Sequence, residues 1–486
     1  MKKVLVGARL RHLREDRGLS QAELARLLEI SPSYLNQIER DHRPLTVSVL
    51  LKLTESFGVD PDFFSPRDTV RLIAELREAL LDDAISVPVS ASEVSELATN
   101  LPSVAHALIG LRRRYRDMVE HTTALIGGQG VLGAGEPVTP MPHEQVQAFF
   151  YDRYNYIAPL DEAAERLAAD IDLQPGNARL ALARRLKDDH DVRVVIQPPD
   201  GSPGSPGELR RYDPATRVLR LSDQLRPGQQ AFQLATQLAL LAHDELLDQL
   251  ASDGQLSSPE AHALTRKGLA HYYAAATLMP YQPFHAAAEE LHYDVESLAD
   301  RFHVGFEVIC QRLSTLQRPR LRGVPFSFVR VDRAGNMSKR QSATGFHFSS
   351  GGGTCPLWNV YEAFTTPGQI LTQVAQMPDG RDYFWIARTV ARKRRGFGTP
   401  TKNFSIGLGC DLRHAHRLVY SRGLNLDDKT LATPIGIGCK TCERSACPQR
   451  AFPSIDHRLE IDENRSTFAP YAVSKPDQYV TGIARR

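Results

Sequence analysis

Two helix starts written into residues 19–39 constrain this chain more than any other feature. Ser20-Gln21-Ala22-Glu23 is a capping box: the Ser20 hydroxyl accepts from the Glu23 amide while the Glu23 carboxylate reaches back to the amide of Ser20. Leu24, Leu27 and Leu28 then line one face, which predicts an amphipathic helix. At Ser31-Pro32 the signal repeats as a hydroxyl cap followed by a proline at the first helical position. Upstream, Gly7 to Arg14 sets Leu10 and Leu13 against a basic face, and Gly18 supplies the stop. Two short helices joined by Glu29-Ile30 and flanked by basic residues have the geometry in which the second enters the DNA major groove by its N-terminal end.

On that geometry Ser33, Tyr34, Asn36 and Gln37 face DNA, with Ser31 at the leading cap of the same helix. Arg40, His42 and Arg43 follow, placed to hold backbone phosphates and orient the reader without specifying sequence. The run Leu19 to Ala25 followed by Ile30 to Glu39 resembles the Xre/Cro/phage-repressor helix-turn-helix family, over residues 7 to 58. The resemblance implies contacts to phosphate or bases from Gln21, Ser33, Tyr34 and Gln37, and double-stranded operator DNA as partner.

A reader of this size uses little of the chain. At 486 residues the protein is too long for one core and is expected to form several domains. Its 59 basic and 57 acidic side chains nearly balance, so any DNA-binding surface must be local. The start has no long apolar segment and no apolar run reaches membrane-spanning length, which predicts a cytoplasmic protein without a membrane partner. After the reader domain (1–65), residues 68–125 carry Leu, Ile and Val at helical spacing with breaks at Pro88 and Pro102, predicting a helical connector (66–126) that supports a homodimer or higher homo-oligomer. The glycine- and proline-rich stretch 127–145 reads as a linker.

The middle segment, 146–320, opens with helices, contains candidate strands at Val192–Ile196 and Arg217–Leu221, and returns to helices. With Phe232 to Leu240 and Ala276 to Pro280, this order resembles the ImmA/IrrE zinc-peptidase family. That family's H-E-x-x-H motif places two imidazoles one helical turn apart on zinc, with a carboxylate as general base. Here Thr236, Gln237 and Leu240 stand in those places, Leu269 stands at the third ligand, and His243-Asp244-Glu245 has the wrong spacing to replace them. The segment is therefore expected to have no enzymatic activity and to serve as a sensor pocket. Tyr151, Tyr154, Tyr156, Tyr272 and Tyr273 are its candidate lining, and Arg166, Arg193 and Arg312 are candidate phosphate partners.

The last segment, 321–486, reads as an α+β domain, with strands at Phe326–Asp332 and Asp382–Ala387 and a turn at Gly335-Asn336. Its signature is Cys439, Cys442, Cys447 and Pro448 in C-x2-C-x4-C-P spacing, three thiols within one loop. Cys410, between glycines that allow close backbone approach, is the expected fourth ligand, with Cys355 in reserve. Four thiolates suit a tetrahedral zinc or a 4Fe-4S cluster equally. Cys355-Pro356-Leu357-Trp358, Arg413 to Arg417 and Cys447 to Phe452 resemble the short-chain fatty acyl transcriptional regulator family, and with the two upstream resemblances this likeness spans nearly the whole chain. It implies a transcription regulator of propionate/methylcitrate or acetate metabolism, activator or repressor, with a 4Fe-4S cluster and a short-chain acyl-CoA effector. Coenzyme A offers phosphates to arginine and an adenine to tyrosine, which is the ground for assigning Tyr151, Tyr156, Arg166, Arg193, Tyr272, Tyr273 and Arg312 to it. The expected fold is thus multidomain and mainly α with α+β parts: an all-α reader, a helical connector, a degenerate zinc-peptidase-like α+β sensor and an α+β iron-sulfur domain.

Overall fold

The computed structural model describes residues 7–53, 66–80, 89–115, 141–198, 208–346, 355–392 and 401–453, apart from isolated positions within those spans, and a few positions beyond. They fall into two compact units, residues 1–138 with 345–347, and 139–344 with 348–486.

In the first unit both written starts are used. Helix α1, Gln21–Leu27, carries the full capping box of Ser20 and Glu23, and α2, Pro32–Glu39, begins at Ser31, whose hydroxyl accepts from the Tyr34 amide at 3.1 Å. Between them Glu29 takes a left-handed backbone (φ 52°), turning the chain sharply enough for both helices to share one core. That core is Leu10, Leu24, Ala25, Leu28, Leu35, Ile38, Val49 and Leu53. Gly7 is obligatory there: a Cβ would lie 2.5 Å from the carbonyl oxygens of Ile38 and Glu39. The connector contains α3, Pro66–Leu80, and α4, Ala91–Asn100, the latter capped by a second box from Ser90 and Glu93. Leu72, Leu76, Val94, Ala98 and Ala105 form their separate core. Pro88 lies outside the described residues, and Pro102 opens a further helical stretch instead of only closing one.

The second unit begins earlier than the linker reading allowed. Residues 127–140 lie outside the described residues, but Pro142 already starts α5, Pro142–Asp152. There follow α6 (Ala158–Asp170), α7 (Ala178–His190), strands β1 (Arg193–Gln197), β2 (Arg210–Asp213) and β3 (Val218–Ser222), then α8 (Pro227–Ala242), α9 (Asp244–Ser252) and α10 (Pro259–Leu278). The sheet order is β1-β3-β2, with β1 parallel and β2 antiparallel to β3. Helix α10 packs against α5, α6 and α8, and one apolar core runs from Phe149 to Leu278.

Helices α11 (Tyr281–Glu290), α12 (Val295–Phe302) and α13 (Phe306–Leu313) then lead to β4 (Ser327–Val331), β5 (Met337–Ser342), the short α14 (Asn359–Glu362), β6 (Leu371–Gln376), β7 (Asp382–Arg392), β8 (Lys402–Asp411) and β9 (Thr433–Pro434). These strands form a six-stranded sheet in the order β5-β4-β8-β7-β6-β9, antiparallel except for the β6–β9 pair. The expected boundary at 320/321 does not separate two cores. Met279, Tyr281, Phe284, Leu298, Ile309 and Leu313 from the helices share one with Phe326, Phe328, Phe384, Ile386, Ile406 and Leu408 from the sheet. Helices before the boundary and strands after it thus bury apolar side chains against each other.

Candidate functional site

The reader is organised around one buried carboxylate. Glu39, at the end of α2, is 2% exposed and receives Arg14 Nε at 2.7 Å and Gln21 Nε2 at 2.7 Å, with Arg11 donating to its backbone oxygen. Gln21 therefore corrects the reading that gave it a DNA contact, because its amide nitrogen is engaged in locking α1 to α2. The other expected contacts stand on the outer side of α2 or just past it. Ser31, Ser33 and Arg40 are exposed, Tyr34, Asn36 and Gln37 half-buried, and His42 and Arg43 exposed. The Arg43 guanidinium lies 5.6 Å from the Tyr34 ring centre, and the amides of His42 and Arg43 both donate to the Gln37 carbonyl, so the basic residues after the helix are folded back onto it.

At the peptidase-like centre the structure has filled the place of the metal. Thr236 is fully buried and its hydroxyl donates to the Phe232 carbonyl at 2.7 Å, Gln237 is 4% exposed, and Leu269 is part of the apolar core. Glu245 points away, exposed, and His243 meets the Tyr273 hydroxyl at 3.1 Å, with burial and then Arg166 lowering its pKa.

The expected effector residues do not converge on one pocket. Arg312 is 1% exposed and makes a two-pronged pair with fully buried Asp161, at 2.7 and 3.1 Å, and donates further to the Met279 carbonyl and the Thr315 hydroxyl. Tyr272 donates to the same carboxylate at 2.6 Å and accepts from the Ile157 amide. Both leave the ligand set, because a guanidinium and phenol with satisfied, buried partners have no capacity left for phosphate. Tyr273 is buried, and burial raises its pKa to about 12. Tyr156 is half-buried under Arg318, whose Nε donates to it, while Tyr151 and Tyr154 are half-buried and Arg166 and Arg193 exposed, Arg193 on the edge strand β1. A different basic group was missed by sequence reading. His271 on α10 lies 5.6 Å from the Phe232 ring, and burial, then Lys339, Arg210 and Lys267, push its pKa down to about 3. Arg210 reaches from β2 to the Gln233 carbonyl at 3.4 Å and has no acidic partner among the described residues; burial lowers its pKa. Residues from three separated stretches make this group, so no local pattern announces it.

The cysteine site is at the β9 edge of the large sheet. Cys355, Cys439, Cys442 and Cys447 line one small cavity, of about 10 Å³, with Pro356, Pro434, Gly436, Gly438, Arg444 and Arg450. Burial raises the thiol pKa of Cys355 and of Cys442. Gly436 is required here, since a Cβ would fall 2.6 Å from Cys442 Sγ. Cys355 is held by α14, where Asn359 donates to the Leu371 and Trp385 carbonyls and its amide meets Gln373. Cys410 is the correction: it is fully buried in the core between helices and sheet, paired with Phe384 across β7 and β8, and burial raises its pKa strongly. The neighbouring Gly407 and Gly409 are there for Trp385 and its surroundings, not for a metal; a Cβ on Gly409 would lie 2.3 Å from the indole. In a strand alternate residues face opposite sides, so a glycine that admits the tryptophan directs Cys410 into the core. Among the described residues no group of three or more His, Cys, Asp or Glu is arranged to hold a metal ion.

Three family models match in series: helix-turn-helix over residues 10–64, IrrE N-terminal-like domain over 187–314, and short-chain fatty acyl coenzyme A regulator, C-terminal, over 315–471. The chain is 54% identical to the HTH-type transcriptional regulator RamB of Mycobacterium tuberculosis, with 98% of this chain and all of that one aligned. The chain belongs to the short-chain fatty acyl coenzyme A regulator family. It is also 50% identical to the M. tuberculosis HTH-type transcriptional regulator PrpR over 96% of its length and 95% of that protein's, and 39% identical to a propionyl-CoA carboxylase regulator of Cereibacter sphaeroides over 97% and 99%. A solved M. tuberculosis transcriptional regulator superposes with a TM-score of 0.66 at 53% identity, covering 68% of this chain and all of that one.

Membership settles the output as transcriptional regulation through a helix-turn-helix. It also agrees with a peptidase-like framework whose ligand positions have become core. No helix among the described residues is long and apolar enough to cross a membrane.

Proposed function

We propose that this chain is a cytoplasmic, homodimeric or higher-order operator-binding regulator of propionate or acetate metabolism, answering to a short-chain acyl-CoA and carrying a 4Fe-4S cluster on Cys355, Cys439, Cys442 and Cys447. The observation that carries the reading is one chain joining an outward-facing reader helix to a four-cysteine cavity. The relatives' printed names, among them a propionyl-CoA carboxylase regulator, support the metabolic assignment.

Four thiols lining one cavity suit a tetrahedral zinc or a 4Fe-4S cluster, and the choice of the cluster rests on the family resemblance. A bound cluster supplies a four-point tie and a one-electron centre. Cys355 brings α14 to that tie and the other three bring the loop after β9, so the edge of the sheet is closed by residues far apart in sequence. For the effector, Arg210 and Lys267 are the remaining basic candidates for phosphates, whereas Lys339 pairs with Glu307 at 3.6 Å and Arg312 and Tyr272 are already committed. The effector acts only by binding one arrangement of the protein more tightly than another.

The test selects a duplex from a random pool with anaerobically prepared full chain, then titrates it with and without propionyl-CoA at fixed salt. The expected change in affinity is about fivefold or more. Asn36→Ala and Gln37→Ala are each expected to weaken the selected duplex by about 1–3 kcal/mol while leaving random DNA unchanged. Absence of a propionyl-CoA effect overturns the effector assignment, and absence of selective binding overturns the regulator assignment. Stoichiometric zinc without sulfide overturns the cluster.

A further inference from the structure

Arg450 is 3% exposed, lines the cysteine cavity, and has no acidic partner among the described residues. Its Nη1 donates to the Cys439 carbonyl at 3.0 Å and its Nη2 to the Cys442 carbonyl at 2.9 Å, with the Arg444 carbonyl also engaged and the Phe452 carbonyl at 3.4 Å. The fork thus clamps the loop that carries three of the four thiols, through the carbonyls of two of them. Its Nε–H, buried on the same side chain, has no acceptor. Arg444, also lining the cavity, donates to the carbonyls of Ile435 and Gln376 and likewise lacks an acidic partner among the described residues.

A buried guanidinium without a counter-charge, and with one N–H left without an acceptor, is unfavourable even when its other N–H groups are bonded to carbonyls. Among the described residues that line the cavity, the groups able to become negative are its four cysteines. With their protons released to solvent on binding a metal group, the thiolates would leave that group with a net negative charge that two arginines can balance, and a sulfur would accept the orphaned N–H.

Resting on the cluster reading above, we propose that Arg450 is a positioning residue for that group: its fork sets the cysteine loop, its Nε–H donates to a sulfur of the bound group, and its charge, with that of Arg444, raises the group's reduction potential. Uptake of one electron from a mediator makes the group more negative, so an adjacent fixed cation favours the reduced form, and a hydrogen bond to sulfur acts in the same direction.

The test uses anaerobically prepared full chain in wild-type, Arg450→Gln, Arg450→Lys and Arg444→Gln forms, with far-ultraviolet circular dichroism as the check on folding. Expected are a midpoint potential shifted negative in Arg450→Gln and Arg444→Gln, iron loss to a chelator several-fold faster in Arg450→Gln, and a potential closer to wild type in Arg450→Lys, which keeps the charge without the fork. A role confined to holding the loop would speed iron loss in Arg450→Gln and leave every potential in place, which overturns the electrostatic part. Wild-type potential together with wild-type iron loss in Arg450→Gln overturns the proposal entirely. Should Arg450→Gln fail to fold, Arg444→Gln and Arg450→Lys decide by their potentials. A wild-type chain that holds zinc without sulfide sinks the cluster reading instead, and the arginine is then judged by zinc release: faster from Arg450→Gln supports it, unchanged release overturns it.

Discussion

In the turn of α8 where a zinc peptidase holds its ion, Thr236 and Gln237 are sealed by neighbouring helices and Leu269 completes an apolar core; at the β9 edge of the large sheet, Cys355, Cys439, Cys442 and Cys447 line a small cavity that opens to solvent. The two regions also differ in charge. Arg312, which sequence reading assigned to the effector of the first region, is paired with buried Asp161, while the arginines of the second have no acid among the described residues. A framework can thus keep its backbone after its site has been converted to packing, whereas a site still built for a ligand leaves space and uncompensated polarity that packing alone would not tolerate.

The largest effect expected from this contrast is all-or-none. Cys355→Ser should reduce iron and sulfide per chain to near zero, and Cys410→Ser should leave both at the wild-type level while losing some core stability; equal metal loss in the two variants would erase the distinction drawn between cavity and core. Next, Asp161→Ala leaves the Arg312 charge buried and unpaired, for which a loss of about 3–5 kcal/mol is expected in urea unfolding, without any change in bound metal. A stable Asp161→Ala protein would mean that the peptidase-like region is less tightly filled than its packing implies. The smallest effect concerns pH. His271 is held neutral in the folded protein, with its pKa lowered to about 3 by burial and then by Lys339, Arg210 and Lys267. The unfolded chain binds its proton below about 6.5, so this contribution is intact above that pH and is lost as pH falls from there toward 3. At pH 5 the loss is about 2 kcal/mol, and His271→Phe should remove that portion of the pH dependence of unfolding.

Much of the reader was legible because its signals are local. Ser20 with Glu23, and Ser31 with Pro32, act within one helical turn, and both starts appear where the spacing places them. The loss of the peptidase motif was legible for the same reason. The effector set was not: Arg312 and Tyr272 were plausible by residue type, but Asp161, more than a hundred positions away from either, claims both. The role of Gln21 changed likewise, once Glu39 was seen to lie within reach of it.

By itself the sequence determined that this protein has a capped helix pair for reading DNA, a peptidase-like segment without ligands, and three cysteines in one loop, because each depends on neighbours a few residues apart. Only the tertiary structure decided which cysteine joins those three. Cys410 is closer to them in sequence, but strand alternation opposite Trp385 turns it into the core, while α14 carries Cys355 to the cavity. Proximity along the chain sets which residues can meet cheaply; the sheet's pairing and the volume of one indole set which of them do.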